Sequence, residues 1–91
     1  MSLAVHDNPE RNRYEASVEG RLAFANYRVV GDTVAILHTE IPPELNGRGL
    51  GTELVKGVLD LIRANGRKVA PRCSFAAVVI AHHPEYRVLL A

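Results

Sequence analysis

The sequence predicts an α/β (α+β) fold, in which one small domain combines a mainly antiparallel sheet with two helices. Three stretches rich in β-branched and aromatic residues are separated by two-residue turns, which is typical of an antiparallel meander. They are followed by one strongly amphipathic segment and by one apolar segment that ends before a proline. With 91 residues, the chain has the length of a single domain.

The predicted strands of the meander cover residues 14–18, 21–30 and 33–41. Glu19-Gly20 and Gly31-Asp32 separate them, and both pairs suit tight hairpin turns. Within the third stretch, residues 34–37 read Val-Ala-Ile-Leu. Such a continuous apolar run indicates a strand inside the sheet, with both of its faces covered.

The clearest predicted helix covers residues 51–65. Its apolar residues recur at spacings of three and four, and they are Leu54, Val55, Val58, Leu59 and Ile62. This period predicts one buried face. Asn65-Gly66 marks the end of the helix, since glycine suits the left-handed position that follows a helix.

The C-terminal part of the domain is predicted as a strand over residues 68–73 and a helix over residues 74–83. Pro71 predicts an edge position or a bulge, because proline donates no hydrogen bond to a neighbouring strand. Ser74 suits the N-cap of the second helix, and Pro84 ends it. We expect residues 1–12 to form a flexible N-terminal tail and residues 13–91 to form the domain.

Composition excludes several classes of protein. The formal net charge is +1, from 11 basic and 10 acidic residues, so nucleic acid and anionic membranes are not expected as partners. One cysteine excludes an intrachain disulfide and a multi-cysteine metal site. The chain start lacks the pattern of a signal peptide. We therefore expect a cytoplasmic protein, a monomer or weak dimer, without a metal cofactor.

Three alternating glycines, Gly47, Gly49 and Gly51, join the third predicted strand to the main helix. Glycine lets backbone N–H groups approach an anion closely, and the start of a helix adds unpaired N–H groups and a positive dipole end. The loop is therefore a candidate phosphate site. Thr52 stands where a dinucleotide fingerprint needs glycine and where a Walker A loop needs lysine, so neither of those motifs is present.

The loop resembles the acetyl-coenzyme A loop of the GNAT superfamily of N-acetyltransferases, whose pattern is Gln/Arg-x-x-Gly-x-Gly/Ala. Residues 46–51 read Asn-Gly-Arg-Gly-Leu-Gly, and residues 41–44 read Ile-Pro-Pro-Glu, like the hydrophobic-x-Pro-Glu lead-in of that superfamily. Asn46 departs from the usual Gln or Arg. Residues 38–45, 69–75 and 83–86 extend the resemblance to the small, single-domain YjdJ-like branch.

This resemblance implies a minimal GNAT-like fold with a curved sheet and a coenzyme A helix that starts at the glycine loop. It also implies a splayed strand, at Pro71, whose opening accepts the pantetheine arm. Acetyl-coenzyme A (acetyl-CoA) is then the co-substrate. The implied cofactor-binding residues are Ile41, Asn46, Gly47, Arg48, Gly49, Leu50, Gly51, Thr52 and Ser74.

Three residues are candidate catalytic groups. The resemblance puts Cys73 near the thioester, where it forms a transient acetyl-cysteine or moves a proton; the alternative is a small buried apolar side chain without chemistry. His38 and Glu40 are two apart on a strand and so share a face. Either is a general base toward an amine, or else His38 fills a structural polar position and Glu40 pairs with a surface cation.

The sequence thus predicts an acetyl-CoA-dependent N-acetyltransferase that acts on an amine. A protein or peptide amine is favoured over a small metabolite, because the tight turns leave no room for helices that would enclose an acceptor. The alternative is a non-catalytic coenzyme A-binding or protein-interaction module with the same fold. The adjacent His82 and His83 are interpreted as helix-end residues rather than metal ligands, since neighbouring helix positions do not face one another.

Overall fold

The computed structural model of the protein describes residues 3–91. It contains five strands, which are β1 (His6–Asn8), β2 (Arg13–Val18), β3 (Arg21–Val30), β4 (Thr33–Glu40) and β5 (Lys68–Pro71). The two helices are α1 (Leu50–Ala64) and α2 (Ser74–His82). Short 3-10 turns cover Pro9–Arg11, Pro43–Leu45 and Pro84–Leu89. Among residues 3–91, no helix has both the length and the apolar composition needed to cross a bilayer.

The strands form one sheet in the order β1-β2-β3-β4-β5. Strands β1 to β4 pair with one another in antiparallel fashion, and β5 runs parallel to β4. The predicted meander is confirmed. Glu19 and Gly20 have φ angles of 51° and 76°, as a type I′ turn requires, and this turn matches the twist of the two strands it joins.

Both helices lie on one face of the sheet and build a single core with it. Leu54, Val55, Val58, Leu59 and Ile62 of α1 are all fully buried, as their spacing predicts. They pack with residues of β2, β3, β4 and β5 and with Ala76, Val79 and Ile80 of α2. The core thus fixes α1, and with it the glycine loop at its start, against the centre of the sheet.

Helix α1 ends in a Schellman motif. Gly66 has a φ of 68°, its N–H donates to Arg63 O, and the N–H of Arg67 donates to Ile62 O. These two hydrogen bonds satisfy carbonyl groups that the end of a helix leaves unpaired. The predicted helix end at Asn65-Gly66 is therefore confirmed.

The C-terminal elements differ from the prediction in detail. Strand β5 ends at Pro71, and the N-cap of α2 is Cys73 rather than Ser74. The N–H groups of Arg72 and Cys73 both donate to Ile36 O. The chain therefore turns away from β4 at this point, and the cysteine rather than the serine takes the N-cap position.

The second face of the sheet was also predicted to be covered, which is wrong. Strand β4 is internal, but neither helix packs on its far side. Ser17, Arg28, His38 and Glu40 are exposed. Their polar side chains point away from the core, because alternate residues of a strand face opposite sides. The face opposite the helices therefore carries polar side chains and is in contact with solvent.

Residues 1–12 were predicted as a flexible tail, but His6–Asn8 form the edge strand β1 and Pro9–Arg11 form a 3-10 turn. Tyr27 Oη donates to Asp7 Oδ1 at 2.7 Å, and Leu3 and Val5 pack against the core. Residues 1 and 2 lie outside the described residues. The strand is short and polar and lacks the alternating apolar pattern that marks a strand, so its composition did not indicate it.

The buried carboxylate of Glu15 ties β1 to the sheet. Glu15 is 8% exposed; Arg13 Nε and Asn8 Nδ2 donate to its oxygens, and His6 Nε2 lies 3.3 Å from the carboxylate. The hydrogen bond from Arg13 is the main reason that the pKa of Glu15 lies below its ordinary value, with those from Asn8 and His6 adding to it.

We expect acid to weaken the attachment of β1. Because the pKa of Glu15 is lowered by folding, its contribution to stability is complete above about pH 5 and is lost as the pH falls through the folded value. Hydrogen exchange of the β1 amides between about pH 3 and 6 measures this. Glu15→Gln should remove the pH dependence of their protection, whereas exposed Glu10→Gln should keep it. Identical profiles for the protein and Glu15→Gln would contradict this explanation.

Candidate functional site

An open groove of about 420 Å³ lies between the end of β4 and the start of α1. Its lining residues come from β4 and the segment after it, from the glycine loop, from the first turn of α1 and from α2. They are Thr39, Ile41, Asn46, Gly47, Gly49, Leu50, Gly51, Thr52 and Phe75. The fold thus brings most of the predicted cofactor-binding residues into one surface. A larger depression, of about 730 Å³, lies elsewhere and contains none of the predicted site residues.

The glycine loop exposes backbone donors to this groove. Gly47 and Gly49 have φ angles of 82° and 72°, a left-handed conformation that costs glycine little and other residues more. Gly49 is the N-cap of α1, and within residues 3–91 no side chain caps this helix end. The first N–H groups of the helix therefore remain available, and together with the helix dipole they favour an anion.

Gly51 serves a different purpose from the other two glycines. A Cβ atom at this position would lie 2.9 Å from Cζ of Phe75, which is closer than such contacts occur. The phenyl ring of Phe75 therefore lies directly against the backbone of the first turn of α1. The ring forms an apolar wall of the groove beside the backbone donors.

The backbone of β4 is open at the other end of the groove. Pairing with β5 runs from Thr33↔Lys68 to Ile36↔Pro71 and then stops. The pairing of β4 with β3 shifts register between Asn26 and Tyr27 and leaves Leu37 as an extra, bulged residue. From Leu37 onward, β4 has no strand on its β5 side among residues 3–91. This is the splayed opening that the resemblance implied at Pro71.

Cys73 lies beside this opening. Its Sγ is 3.7 Å from Thr39 Oγ1, and the thiol is partly buried at the N-cap of α2. Burial works against the thiolate, but the nearby backbone N–H groups of Ala76 and Phe75 at the start of α2, together with Thr39, outweigh it and lower the pKa of Cys73. The thiolate form of Cys73 is therefore favoured more than that of a free cysteine.

His38 and Glu40 lie on the opposite face of the sheet from the groove. Thr39, between them, lines the groove, so the alternation of a strand turns its two neighbours to the other side. His38 Nε2 is 3.2 Å from Glu40 Oε1, and the His38 ring lies 6.4 Å from that of Phe24. The two residues share a face as predicted, and that face is the uncovered one.

Comparison with known proteins identifies the family. The family model of GCN5-related N-acetyl-transferases matches residues 13–89. The chain belongs to the GCN5-related N-acetyltransferase family. Protein NATD1 of Xenopus tropicalis is 27% identical over 86 residues, which are 91% of this chain and 79% of NATD1. The solution structure of a GCN5-like protein from Staphylococcus aureus matches with a TM-score of 0.72 and 28% identity, over 99% of this chain and 89% of that one.

The family assignment confirms the resemblance and the predicted fold class. GCN5-related N-acetyltransferases generally use acetyl-CoA, a ligand with an anionic phosphate end and a long arm rich in amides. For a phosphate end the groove offers the backbone donors of the glycine loop, and for an amide-rich arm it offers the open edge of β4. Within residues 3–91, no cluster of three or more His, Cys, Asp or Glu side chains is arranged to hold a metal ion.

Two of the predicted cofactor-binding residues of this family member lie outside the groove lining. The guanidinium of Arg48 is paired with Glu19, at 2.6 Å, and Ser74 is an exposed first residue of α2. The glycine loop therefore contributes no charged side chain to the groove lining. Arg48 is charged and near the groove, but it already has a partner.

Sequence reasoning missed two groove residues, Thr39 and Phe75. The signal for Thr39 was present, since a residue between two that share one face of a strand must lie on the other face. No comparable signal marked Phe75, because its position depends on the close approach of α2 to Gly51. That approach is a property of how the two helices pack.

Proposed function

We propose that this GCN5-related protein binds acetyl-CoA in the groove and transfers the acetyl group to an amine of a protein or peptide. The proposal rests mainly on one observation. The groove joins a glycine loop with free backbone donors to the open edge of β4, and these are the two surfaces that a phosphate-bearing thioester with an amide-rich arm needs.

Acetyl-CoA supplies an activated thioester, and the chain supplies positioning. In the proposed complex, N–H groups of Gly49, Leu50 and Gly51 bind phosphate oxygens. Ile41, which lines the groove after β4, offers backbone hydrogen bonds to the arm. Backbone N–H groups of β4 near the bulge are then placed to stabilise negative charge on the thioester oxygen when an amine attacks.

Two roles are proposed as alternatives for Cys73. In direct transfer, the amine nitrogen forms a bond to the acetyl carbon, the carbon–sulfur bond of the thioester breaks, and Cys73 supplies a proton to the departing coenzyme thiolate. In the two-step route, the Cys73 thiolate attacks the acetyl carbon and the coenzyme departs as its thiolate. The amine then attacks the acetyl-cysteine, and the Cys73 thiolate is released. Thr39 positions the sulfur in both routes, and we favour direct transfer.

The uncovered face of the sheet is the proposed side of approach for the acceptor. A protonated amine must lose a proton before it attacks, and His38, held 3.2 Å from Glu40, is the proposed base on that side. Among residues 3–91, no helix covers this face and encloses a small molecule. Such a surface suits an extended chain end or a lysine side chain, and it supports a protein acceptor.

A non-catalytic coenzyme A-binding module is the second candidate. Asn46 departs from the family pattern, and within the described part of the chain no helix covers the sheet face of His38 to hold an acceptor in place. Both observations favour a module. In either case we propose a cytoplasmic location and a monomer or weak dimer.

An acetyl-transfer assay separates the two candidates. Release of the coenzyme thiol from acetyl-CoA is followed with a lysine-containing peptide, with a peptide that has only a free N-terminus, and with a small diamine. We expect turnover with at least one peptide. His38→Ala should lower kcat by about a hundredfold, as loss of a general base does, while calorimetry shows unchanged affinity for acetyl-CoA.

The exposed His82→Ala is the matched control, since it removes a histidine outside the proposed site. Cys73→Ala distinguishes the two routes. A covalent acetyl group on the protein, absent in Cys73→Ala, supports the two-step route, and its absence in both supports direct transfer. Binding of acetyl-CoA without turnover on any acceptor would favour the module, and no binding at all would refute both candidates.

A further inference from the structure

The turn between β2 and β3 is packed against the glycine loop. Val18, Leu45 and Leu50 form a small apolar cluster of their own between the two segments. Above this cluster, Arg21 Nη1 of the turn region lies 3.5 Å from Glu44 Oε1 of the segment that leads into the loop. The turn and the loop therefore share an interface, although Glu44 follows Val18 by 26 positions in the chain.

A second ion pair crosses the same interface, here with the acidic residue on the turn and the basic residue on the glycine loop. Glu19 Oε2 lies 2.6 Å from Arg48 Nη2, and the contact with Arg48 lowers the pKa of Glu19. The two side chains are 58% and 43% exposed. Arg48 stands between two groove-lining glycines but is itself not part of the lining. The one cationic side chain of the loop is thus already bound to a carboxylate.

We propose that Glu19 controls phosphate recognition at the coenzyme site by occupying Arg48 until a phosphate group of the coenzyme displaces it. This inference rests on the proposed function, because it needs acetyl-CoA in the groove. Glu19 is then a specificity-determining residue located outside the glycine loop, on a turn that no phosphate-binding motif includes.

The exchange of Glu19 for a phosphate as the partner of Arg48 costs little free energy. A guanidinium binds a carboxylate and a phosphate through the same paired N–H donors, so Arg48 changes partner without a change of geometry. An exposed ion pair changes an equilibrium constant by only about 1.5- to 5-fold. A phosphate group carries more charge than a carboxylate and is also held by the backbone donors of α1. The phosphate should therefore displace Glu19 from Arg48.

The position of Glu19 is fixed by the fold. Its φ of 51° belongs to the type I′ turn that joins β2 and β3, and the paired strands hold this turn in one register. A carboxylate on a flexible loop would move away once Arg48 left it. Here the carboxylate remains within reach of Arg48 and continues to compete with the coenzyme for it, which limits the affinity for the coenzyme.

Calorimetric titration with acetyl-CoA at about 50 mM salt tests the proposal. Glu19→Gln keeps the shape and backbone of the turn but removes the charge, and it should bind acetyl-CoA about 2- to 5-fold more tightly than the unmodified protein. Glu44→Gln is the matched control, because it removes a neighbouring carboxylate that does not hold Arg48. We expect a smaller gain from it.

The role of Arg48 is tested in the same series. In an Arg48→Gln background, Glu19→Gln should have no more effect than Glu44→Gln, since no cation is released. Raising the salt to about 500 mM should reduce the gain, because exposed charges are screened. Titration with dephospho-CoA identifies the phosphate involved: the gain persists if Arg48 binds the pyrophosphate and disappears if it binds the 3′-phosphate.

Unchanged or weaker binding by Glu19→Gln would overturn the proposal, and weaker binding would mean that Glu19 orients Arg48 toward the coenzyme instead. An equal gain with and without Arg48 would also overturn it, since simple repulsion would then explain the effect. Failure of the unmodified protein to bind acetyl-CoA would refute the proposed function itself and this inference with it. Binding with no effect of Glu19→Gln would refute the inference alone.

Discussion

Gly49→Glu is expected to lower the affinity for acetyl-CoA by at least about a hundredfold, or about 2.7 kcal/mol. Gly49 has a φ of 72°, and a side chain in this left-handed conformation costs about 1–2 kcal/mol. The new carboxylate would also lie at the N-terminus of α1, where the backbone donors are proposed to bind phosphate. It would compete for those donors and repel the coenzyme.

Gly31→Glu is the control for this variant. Gly31 has a φ of 60° and lies in the turn between β3 and β4, so the substitution introduces the same charge and a similar backbone strain away from the groove. Calorimetric titration of the two variants separates these effects. Comparable losses in both would mean that strain, rather than the anion site, determines the outcome, and retained binding in Gly49→Glu would contradict the assignment of the loop.

Ile36→Ala is expected to reduce the free energy of unfolding by about 2–5 kcal/mol. Ile36 is fully buried in β4, at the centre of the sheet and against α1. Removing three carbon atoms there leaves a cavity that the rigid surroundings fill only in part. A domain of this size has a total stability of about 5–15 kcal/mol, so the variant would lose a large fraction of it.

Urea unfolding measures this loss, with Leu22→Ala as the control. Leu22 is 41% exposed on β3, so its truncation removes a similar side chain with much less burial, and we expect under half the effect of Ile36→Ala. Ile36→Val, which removes one methyl group, should cost about 0.5–1.5 kcal/mol. Equal losses at positions 22 and 36 would show that the centre of the sheet is not the tightly packed core described above.

The elements that the sequence predicted correctly are those that form because of residues within them. The period of α1 and the glycine at Gly66 located the main helix to within a residue at each end. The turns at Glu19-Gly20 and Gly31-Asp32 located the meander. In each case a local requirement, such as a buried stripe or a positive φ, restricted the residue type, and the restriction was visible in the sequence.

The remaining features depend on contacts between distant residues. Strand β1 is held in part by Tyr27, whose hydroxyl donates to Asp7 across 20 positions of the chain. The bulge at Leu37 follows from how β3 and β4 pair, and no residue type marks it. The partner of Arg48 is set by a hairpin that ends well before the loop. Motif spacing indicated the glycine loop as a candidate site, but it did not indicate that the charged side chain of the loop is paired with Glu19.

The order of strands in the sheet has a consequence for how fast the protein folds. Neighbours in space are neighbours in the chain throughout β1 to β4, so each hairpin closes a short loop at a small cost in chain entropy. Only the pairing of β4 with β5 must wait for α1 to cross over. Topologies dominated by such local pairing fold faster than all-β sandwiches of similar size. We therefore expect β5 to pair after the hairpins of β1 to β4 have formed, and its arrival creates the splayed opening beside β4.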